Sequence, residues 1–466
     1  MKLTYDIDAR PPRGQTIVFA LQHMVAIMAA TLLVPMIISG MGLAMDPAAA
    51  LFGAGAGTLF YIFFTRKRSP VFLGSSFTFI GAMSAAVAMN YGYWGLIIGC
   101  AFAGLVYVLI AAIVHWSGAS WVNRLMPPVI IGPIVSLIGL SLSGTAIDWV
   151  ATNGADYNGW SIVVGIATFL LIVIVSVKGS KMMRLIPFIL GIGGGYVLAL
   201  VLTLIGRAVG NDAMQIMSFA AFEATFVPFT IRSIFDVPEF TFVRALQTAG
   251  QYPLNGTAIA NIALLYMPIA VVELAQHIAD HKNLGFIVSR DLIEDPGLTR
   301  TLVGDGVGSA VGAFFGGCAN TTYGESIGCV ALTGNASIVS IVVASFGCML
   351  LAFVAPFVAV VNSIPFAVMG GACIALYGFI AVSGLNMLRF VDLNDHRNLY
   401  VVSAILVSGI GGLSFRFGHS DVTGGPVFEI TALAAALIVG LITKAIAGPG
   451  RERPEVDKKD AEPPAP

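Results

Sequence analysis

Two stretches of this chain decide how the rest is read: "VFLGSSFTFIG" at 71–81 and "GCANTTYGESIG" at 317–328. Both lie in apolar surroundings, yet neither has the composition of an apolar helix. Glycines, β-hydroxyl residues and aromatics favour extended backbone over helix. Five extended residues at about 3.3 Å each reach the middle of a hydrocarbon core about 30 Å thick. Each stretch is therefore expected to run as a short strand to the midplane and continue as a half-helix. Open backbone at that depth is tolerated only where it is buried in protein or lines a cavity. Two half-helix N-termini meeting there would aim their free N–H groups at a common space. That arrangement predicts a binding site around Glu325.

The surroundings are a membrane chain. Of 466 residues, 57% are apolar and 11% charged, with a mean hydropathy of +0.89. Soluble domains carry about 25% charged residues, so the polar surface is too small to face water. The fold expected is an all-α polytopic membrane protein with fourteen segments, near 17–38, 47–64, 70–89, 94–115, 127–145, 161–177, 185–206, 258–280, 300–316, 320–334, 337–358, 364–384, 398–414 and 426–446. With the N-terminus cytoplasmic, only Arg207, Arg232, Arg244 and Arg416 fall outside, against all the other Lys and Arg of the 24 present. This is the positive-inside bias. Residues 207–257, rich in proline and aromatics, are expected as an outer loop lying at the interface. The tail "RERPEVDKKDAEPPAP" is charged and proline-rich and is expected to be disordered. The opening "MKLTYDIDARPPRG" lacks an apolar core with a cleavage site, so no removable signal peptide is expected.

The five cysteines (Cys100, Cys318, Cys329, Cys348, Cys373) lie in apolar windows without a CxxC pair and read as small buried hydrophobes. No metal, cofactor or nucleic-acid motif stands out. HExxH is absent from the sequence and no Cys/His metal cluster is seen, so an enzyme is not expected.

The halves echo each other. Gln22-His23 recurs as Gln276-His277, Ser75–Phe77 parallels Thr321–Tyr323, and "PPVIIG" at 127–132 parallels "PFAVMG" at 365–370. Three echoes in one order at nearly one offset argue for duplication. Seven segments per unit is odd, so the second copy must enter from the opposite side. Such inverted repeats mark secondary transporters with substrate bound near the midplane.

Acidic groups at a helix centre cost about 2.5–3.5 kcal/mol on insertion scales. Glu325 is read either as a structural carboxylate or as a substrate acceptor, with Tyr323 and the nearby donors favouring the latter. In "VVELAQHIADHKNLG", Glu273, Gln276, His277 and Asp280 share one helical face. That stripe is expected to line the site or a proton route, with Asp280 nearer the basic end and able to pair with Lys282. Asp305 in "LVGDGVGSAVG" is a hydrogen-bond partner of the eighth segment or a proton carrier. The glycines around it suit close helix packing better than a nucleotide loop. Gln22 and His23 are expected to brace the site, and Phe77 and Tyr323 to offer faces for stacking. A flat, uncharged heterocycle with N–H donors and carbonyl acceptors suits this set.

These motifs carry a resemblance. "QHMVAIMAATLLVP", "GSSFTFI", "PPVIIGP", "HIADH", "DPGLTR" and above all "NTTYGESIG....TG" resemble the nucleobase–ascorbate transporter family (nucleobase:cation symporter 2), in particular its bacterial uracil branch. Glu325, Gly328, Thr333 and Gly334 match the family signature in the tenth segment. The resemblance implies a core domain from 15–122 and 258–360, a gate domain from 123–257 and 361–448, and a cytoplasmic tail at 449–466. It also implies a homodimer in the bacterial inner membrane, both termini cytoplasmic, an elevator-like movement, and proton symport of uracil. The substrate contacts it implies are Phe77, Gln276, Tyr323, Gly324 and Glu325, with Glu273 as the alternative acid. Proton coupling would fall to Glu325, Glu273 and Asp305, with His277 modulating them. Two positions depart from the pattern. Gln276 stands where the family has a carboxylate, and Ser326, a helix-capping residue type, stands where it has asparagine. The first keeps a purine permease for xanthine or guanine in view. An anion carrier of the same architecture is disfavoured by an acid at 325.

Overall fold

The computed structural model describes the chain except residues 1–2, 119–120, 122–124, 154–155, 181–182, 253, 419–427 and 451–466. The expected disordered tail and the boundary at 122–123 fall mainly outside the described residues.

In chain order the elements are α1 (Arg13–Gly40), α2 (Pro47–Phe64), β1 (Leu73–Ser75), α3 (Ile80–Ala88), α4 (Gly92–Ser117), α5 (Pro128–Ser141), α6 (Ser143–Ala151), β2 (Thr152–Asn153), β3 (Asp156–Tyr157), α7 (Gly159–Lys178) and α8 (Pro187–Val209). There follow α9 (Ala220–Phe226), α10 (Thr241–Gln247), α11 (Gly256–Val288), α12 (Leu298–Gly316), β4 (Asn320–Thr322), α13 (Gly324–Thr333), α14 (Ile338–Leu351), α15 (Ala355–Asn362), α16 (Phe366–Met387), α17 (His396–Ile410), β5 (Phe415–Phe417), β6 (Phe428–Ile430) and α18 (Ala432–Ala447). Among the described residues, eight helices are long and apolar enough to cross a membrane, taking α5 and α6 together as one. α14 and α18 are shorter apolar helices. The stretch 207–257 holds two seven-residue helices, α9 and α10, and short 3-10 turns.

Local chemistry sets the element ends. α2 starts at Asp46, whose carboxylate accepts from the Ala48 N–H, with Pro47 at the first helical position. Asp46 lies outside the apolar span, and burial there raises its carboxyl above the usual range despite the Ala48 and Ala49 N–H groups that oppose the shift. α13 stops after ten residues because Gly334 takes a left-handed φ of +66°. Its carbonyl then accepts from the N–H groups of Thr4 and Tyr5, which ties the N-terminal segment across this helix end.

Close helix approach depends on glycine. A Cβ at Gly53 would stand 2.6 Å from the Gly312 carbonyl oxygen, and one at Gly104 2.4 Å from that of Gly306. The glycines around Asp305 thus let α12 lie against α2 and α4. Between these helices runs the sheet that positions the site. β1 and β4 pair antiparallel with Leu73 opposite Thr322, Gly74 opposite Thr321 and Ser75 opposite Asn320. All six residues are buried. The Asn320 amide reaches across the glycine groove to the Gly53 carbonyl at 3.1 Å, and the Ser309 hydroxyl donates to the Asn320 carbonyl.

A candidate substrate site where two strands meet

Each strand hands over to a short helix. After β1 the chain passes Phe77 and begins α3 at Ile80; after β4 it passes Tyr323 and begins α13 at Gly324. Open space adjoins both helix starts: a Cβ placed on Gly81, Gly324 or Gly328 would meet nothing within 4 Å. Gly324 is exposed, and Glu325 is half-buried in the first turn of α13. There its carboxylate complements the helix N-terminus. Among the described residues it forms no salt bridge.

Tyr323 is buried, and its hydroxyl donates to the Ser75 carbonyl at 2.7 Å. The phenol oxygen is therefore committed to the opposite strand, and the ring lies over Gly74. Any Cβ at position 74 would fall 2.3 Å from that ring, so this position must be glycine. Phe77 is buried edge-on to Tyr377 of α16, centroids 5.8 Å apart.

The polar stripe of α11 divides among its neighbours. Glu273 is 1% exposed; one oxygen accepts from the Ser76 hydroxyl at 3.1 Å, and the other has no partner among the described residues. Asp280 accepts from the Thr322 hydroxyl at 2.8 Å. That bond, rather than a pairing with Lys282, is what holds it. Both acids face the strand pair. His277 turns to α12 instead, with Nδ1 at 2.6 Å from Asp305 Oδ2 and Nε2 at 3.0 Å from the Thr301 hydroxyl. Helical geometry places position 277 about 40° round from 273, enough to reach a different neighbour. Gln276, half-buried, makes no hydrogen bond to a described residue. Asp305 is fully buried, its second oxygen unpartnered among the described residues.

One expectation is corrected. Ser326 does not cap its own helix; the N-cap position belongs to Tyr323, which makes no side-chain cap. The Ser326 hydroxyl instead accepts the Phe72 N–H at 2.9 Å and bonds His23 Nε2 at 2.9 Å. It thereby ties α13 to the approach of β1 and to α1. Gln22, one residue before His23, is half-buried.

Sequence reasoning missed Ser76, Thr322, Thr301, Tyr61 and His281. His281 was accessible, since it continues the α11 pattern one turn beyond His277. The hydroxyl residues could not be singled out, because serine and threonine recur through these stretches and helices and only a facing partner distinguishes them.

Comparison with known proteins identifies the family of the chain. The family model described as "Permease family", that of the xanthine/uracil permeases, matches residues 14–416. The uracil permease of Bacillus caldolyticus is 38% identical over 454 residues, 97% of this chain and 96% of that protein. The uracil permease of Bacillus subtilis (strain 168) is 33% identical over 443 residues, 93% of each chain. Among solved structures, the transmembrane domain of a cyanobacterium bicarbonate transporter, BicA, is similar with a TM-score of 0.56 at 14% identity, covering 94% of this chain and 98% of that one. At that identity the likeness concerns fold alone.

Proposed function

The chain belongs to the permease family of xanthine and uracil transporters, the nucleobase:cation symporter 2 family, and from that premise we propose that it imports uracil together with a proton. The observation that carries the reading is Glu325. It stands half-buried at the mouth of α13, beside the exposed backbone of Gly324 and open space. A carboxylate there accepts the N–H edge of a flat base. The first N–H groups of α13 are free to meet a carbonyl oxygen. Phe77 and the ring of Tyr323 cover a face. Gln276, without a partner among the described residues, supplies a donor and an acceptor to the remaining edge. A pyrimidine lacking one of these groups would leave a buried polar atom unpaired, which is the source of selectivity.

Proton coupling is assigned to Glu325, Glu273 and Asp305, with His277 paired to Asp305. Fourteen segments in two inverted repeats of seven form a core (15–122 and 258–360) that carries the site, and a gate (123–257 and 361–448) against which it moves like an elevator. The protein is read as a homodimer in the bacterial inner membrane with both termini cytoplasmic.

Gln276 favours a second reading, transport of a purine such as xanthine, because an amide recognises a different ring edge from a carboxylate. Uptake of labelled uracil is measured in cells lacking their own uracil permease, with and without excess unlabelled xanthine. Uptake insensitive to xanthine is expected. Absent uptake by a protein shown to be in the membrane would overturn the uracil reading, and suppression by xanthine would favour the purine one.

A further inference from the structure

Behind the substrate site lies a second chain of buried polar groups that substrate recognition does not use. His281 Nδ1 is 2.7 Å from the His277 carbonyl oxygen, an acceptor only, so Nδ1 carries the proton of that bond. Nε2 of His281 is then free to exchange a proton with the Tyr61 hydroxyl, 2.7 Å away. Tyr61 in turn is 2.7 Å from the Ser69 hydroxyl. Tyr61 and His281 are fully buried. Ser69 is buried directly behind the exposed turn Arg66–Lys67–Arg68, where Arg68 is paired with Asp295. At the other end, Thr301 donates to the Leu298 carbonyl and can accept from His277 Nε2. One proton then lies between His277 Nδ1 and Asp305 Oδ2 whichever of the two is taken to own it.

We propose that His281, Tyr61 and Ser69 form the leg of the proton path that opens on the Arg66–Arg68 side, with His281 the last station from which a proton leaves. The inference rests on the proton-symport reading and on the proposed orientation, in which that side is cytoplasmic. An imidazolium at His281 gives its Nε2 proton to the Tyr61 oxygen while the Tyr61 hydroxyl proton passes to Ser69 and that of Ser69 to water. Each hydroxyl gains the proton it gives up, and no electrons move. In this conformation the path is interrupted at one place. The two imidazoles lie with centroids 4.2 Å apart, but His281 Nδ1 is occupied by a backbone carbonyl, so no hydrogen bond joins them. Two imidazolium charges at that distance would repel strongly in a buried site. With one shared proton the His277–Asp305 pair is net neutral, so an imidazolium at His277 opposes one at His281 only when Asp305 is protonated as well. An interruption of this kind prevents protons from leaking past without substrate. The other ionisable groups around the chain are Asp280 and Glu273 on α11, Asp305 on α12 and Tyr107 on α4, the last edge-on to His277 at 5.9 Å. Among the described residues, none of these acids is in a salt bridge with Lys or Arg.

The test uses the full chain in proteoliposomes enclosing a pH-sensitive dye, comparing the wild type with Tyr61→Phe. Two quantities are read: exchange of labelled for unlabelled uracil at equal pH, which needs no net proton release, and proton-driven accumulation with lumenal acidification. Exchange is expected to stay within about twofold while accumulation and acidification fall about tenfold, the scale of losing one proton-transfer group. Equal loss of both in a monodisperse variant makes Tyr61 structural and overturns the proposal; retention of both overturns it too. Ser69→Ala serves the same test if Tyr61→Phe cannot be purified. Wild-type uracil uptake without any proton movement would instead overturn the symport reading itself, before any variant is measured.

Discussion

The helices α5, α7, α8 and α16 and the group α2, α11, α12 and α13 are packed by the same device and filled with different chemistry. Both bring backbones together at glycines. A Cβ at Gly371 would meet the Gly165 carbonyl at 2.2 Å, as one at Gly53 would meet that of Gly312 at 2.6 Å. In the first group three buried hydroxyls bond back into their own helix. Ser136, Thr168 and Thr203 each donate to the carbonyl four residues back on their own helix. In the second group the polar residues depend on other elements: Glu273 on Ser76, Asp280 on Thr322, His277 on Asp305, His23 on Ser326. A hydroxyl bonded within its own helix can be buried anywhere along it. An acid or imidazole whose partner lies on another element fixes two elements relative to each other, and an unpaired oxygen left over is available for a ligand or proton. Close packing is therefore common to the whole fold, and buried acids and imidazoles held by another element distinguish the second group.

The largest effect that tests this contrast is expected from Glu325→Gln, which keeps shape and removes the charge. Initial uracil uptake should fall about a hundredfold or more at unchanged membrane abundance, the scale of losing a charged acceptor in a hydrogen-bonding site. Near-normal uptake would return Glu325 to a structural role. Gly74→Ala comes next. Its methyl group meets the Tyr323 ring, so the strand pair or the ring must shift, and uptake should drop about tenfold with a melting temperature lowered by overpacking. Normal transport would mean that the ring is not held where substrate needs it.

The Asp280–Thr322 bond is best read as a double-mutant cycle in thermal stability with Asp280→Asn and Thr322→Val. A coupling of about 0.5–3 kcal/mol is expected for groups in direct contact, and additivity would remove this tie from the site. The smallest effect should come from Val173→Ala, an apolar residue exposed on α7. It is expected to change stability by less than about 0.5 kcal/mol and leave uptake unaltered. A large loss there would break the contrast by showing that this face is also engaged.

Much of the site was legible because its residue types are costly where they stand. Glu325, Glu273, His277 and Asp305 are conspicuous in apolar surroundings, and the wording of 319–328 betrays a backbone unsuited to helix. The partners were not legible. Helical spacing put Glu273, Gln276, His277 and Asp280 on one face, but a face about 100° wide touches several neighbours. Ser326 illustrates the limit: its place at a helix start suggested a cap, whereas its hydroxyl serves Phe72 and His23. Lys282 sits two residues from Asp280 and looked like its counter-ion; Thr322, 42 residues away, holds it.

Composition and local pattern by themselves determined that lipid is this protein's solvent, that two short stretches interrupt its helices, and which acids are too expensive to be there by accident. Those properties are additive along the chain and need no knowledge of what packs where. Only the tertiary structure decided which acid meets which hydroxyl, that the Tyr323 hydroxyl is bound to the opposite strand, and that His277 belongs to Asp305. A hydrogen bond is short and directional, so its partner is set by how α2, α11, α12 and the strand pair come together, and that arrangement is written in no single segment.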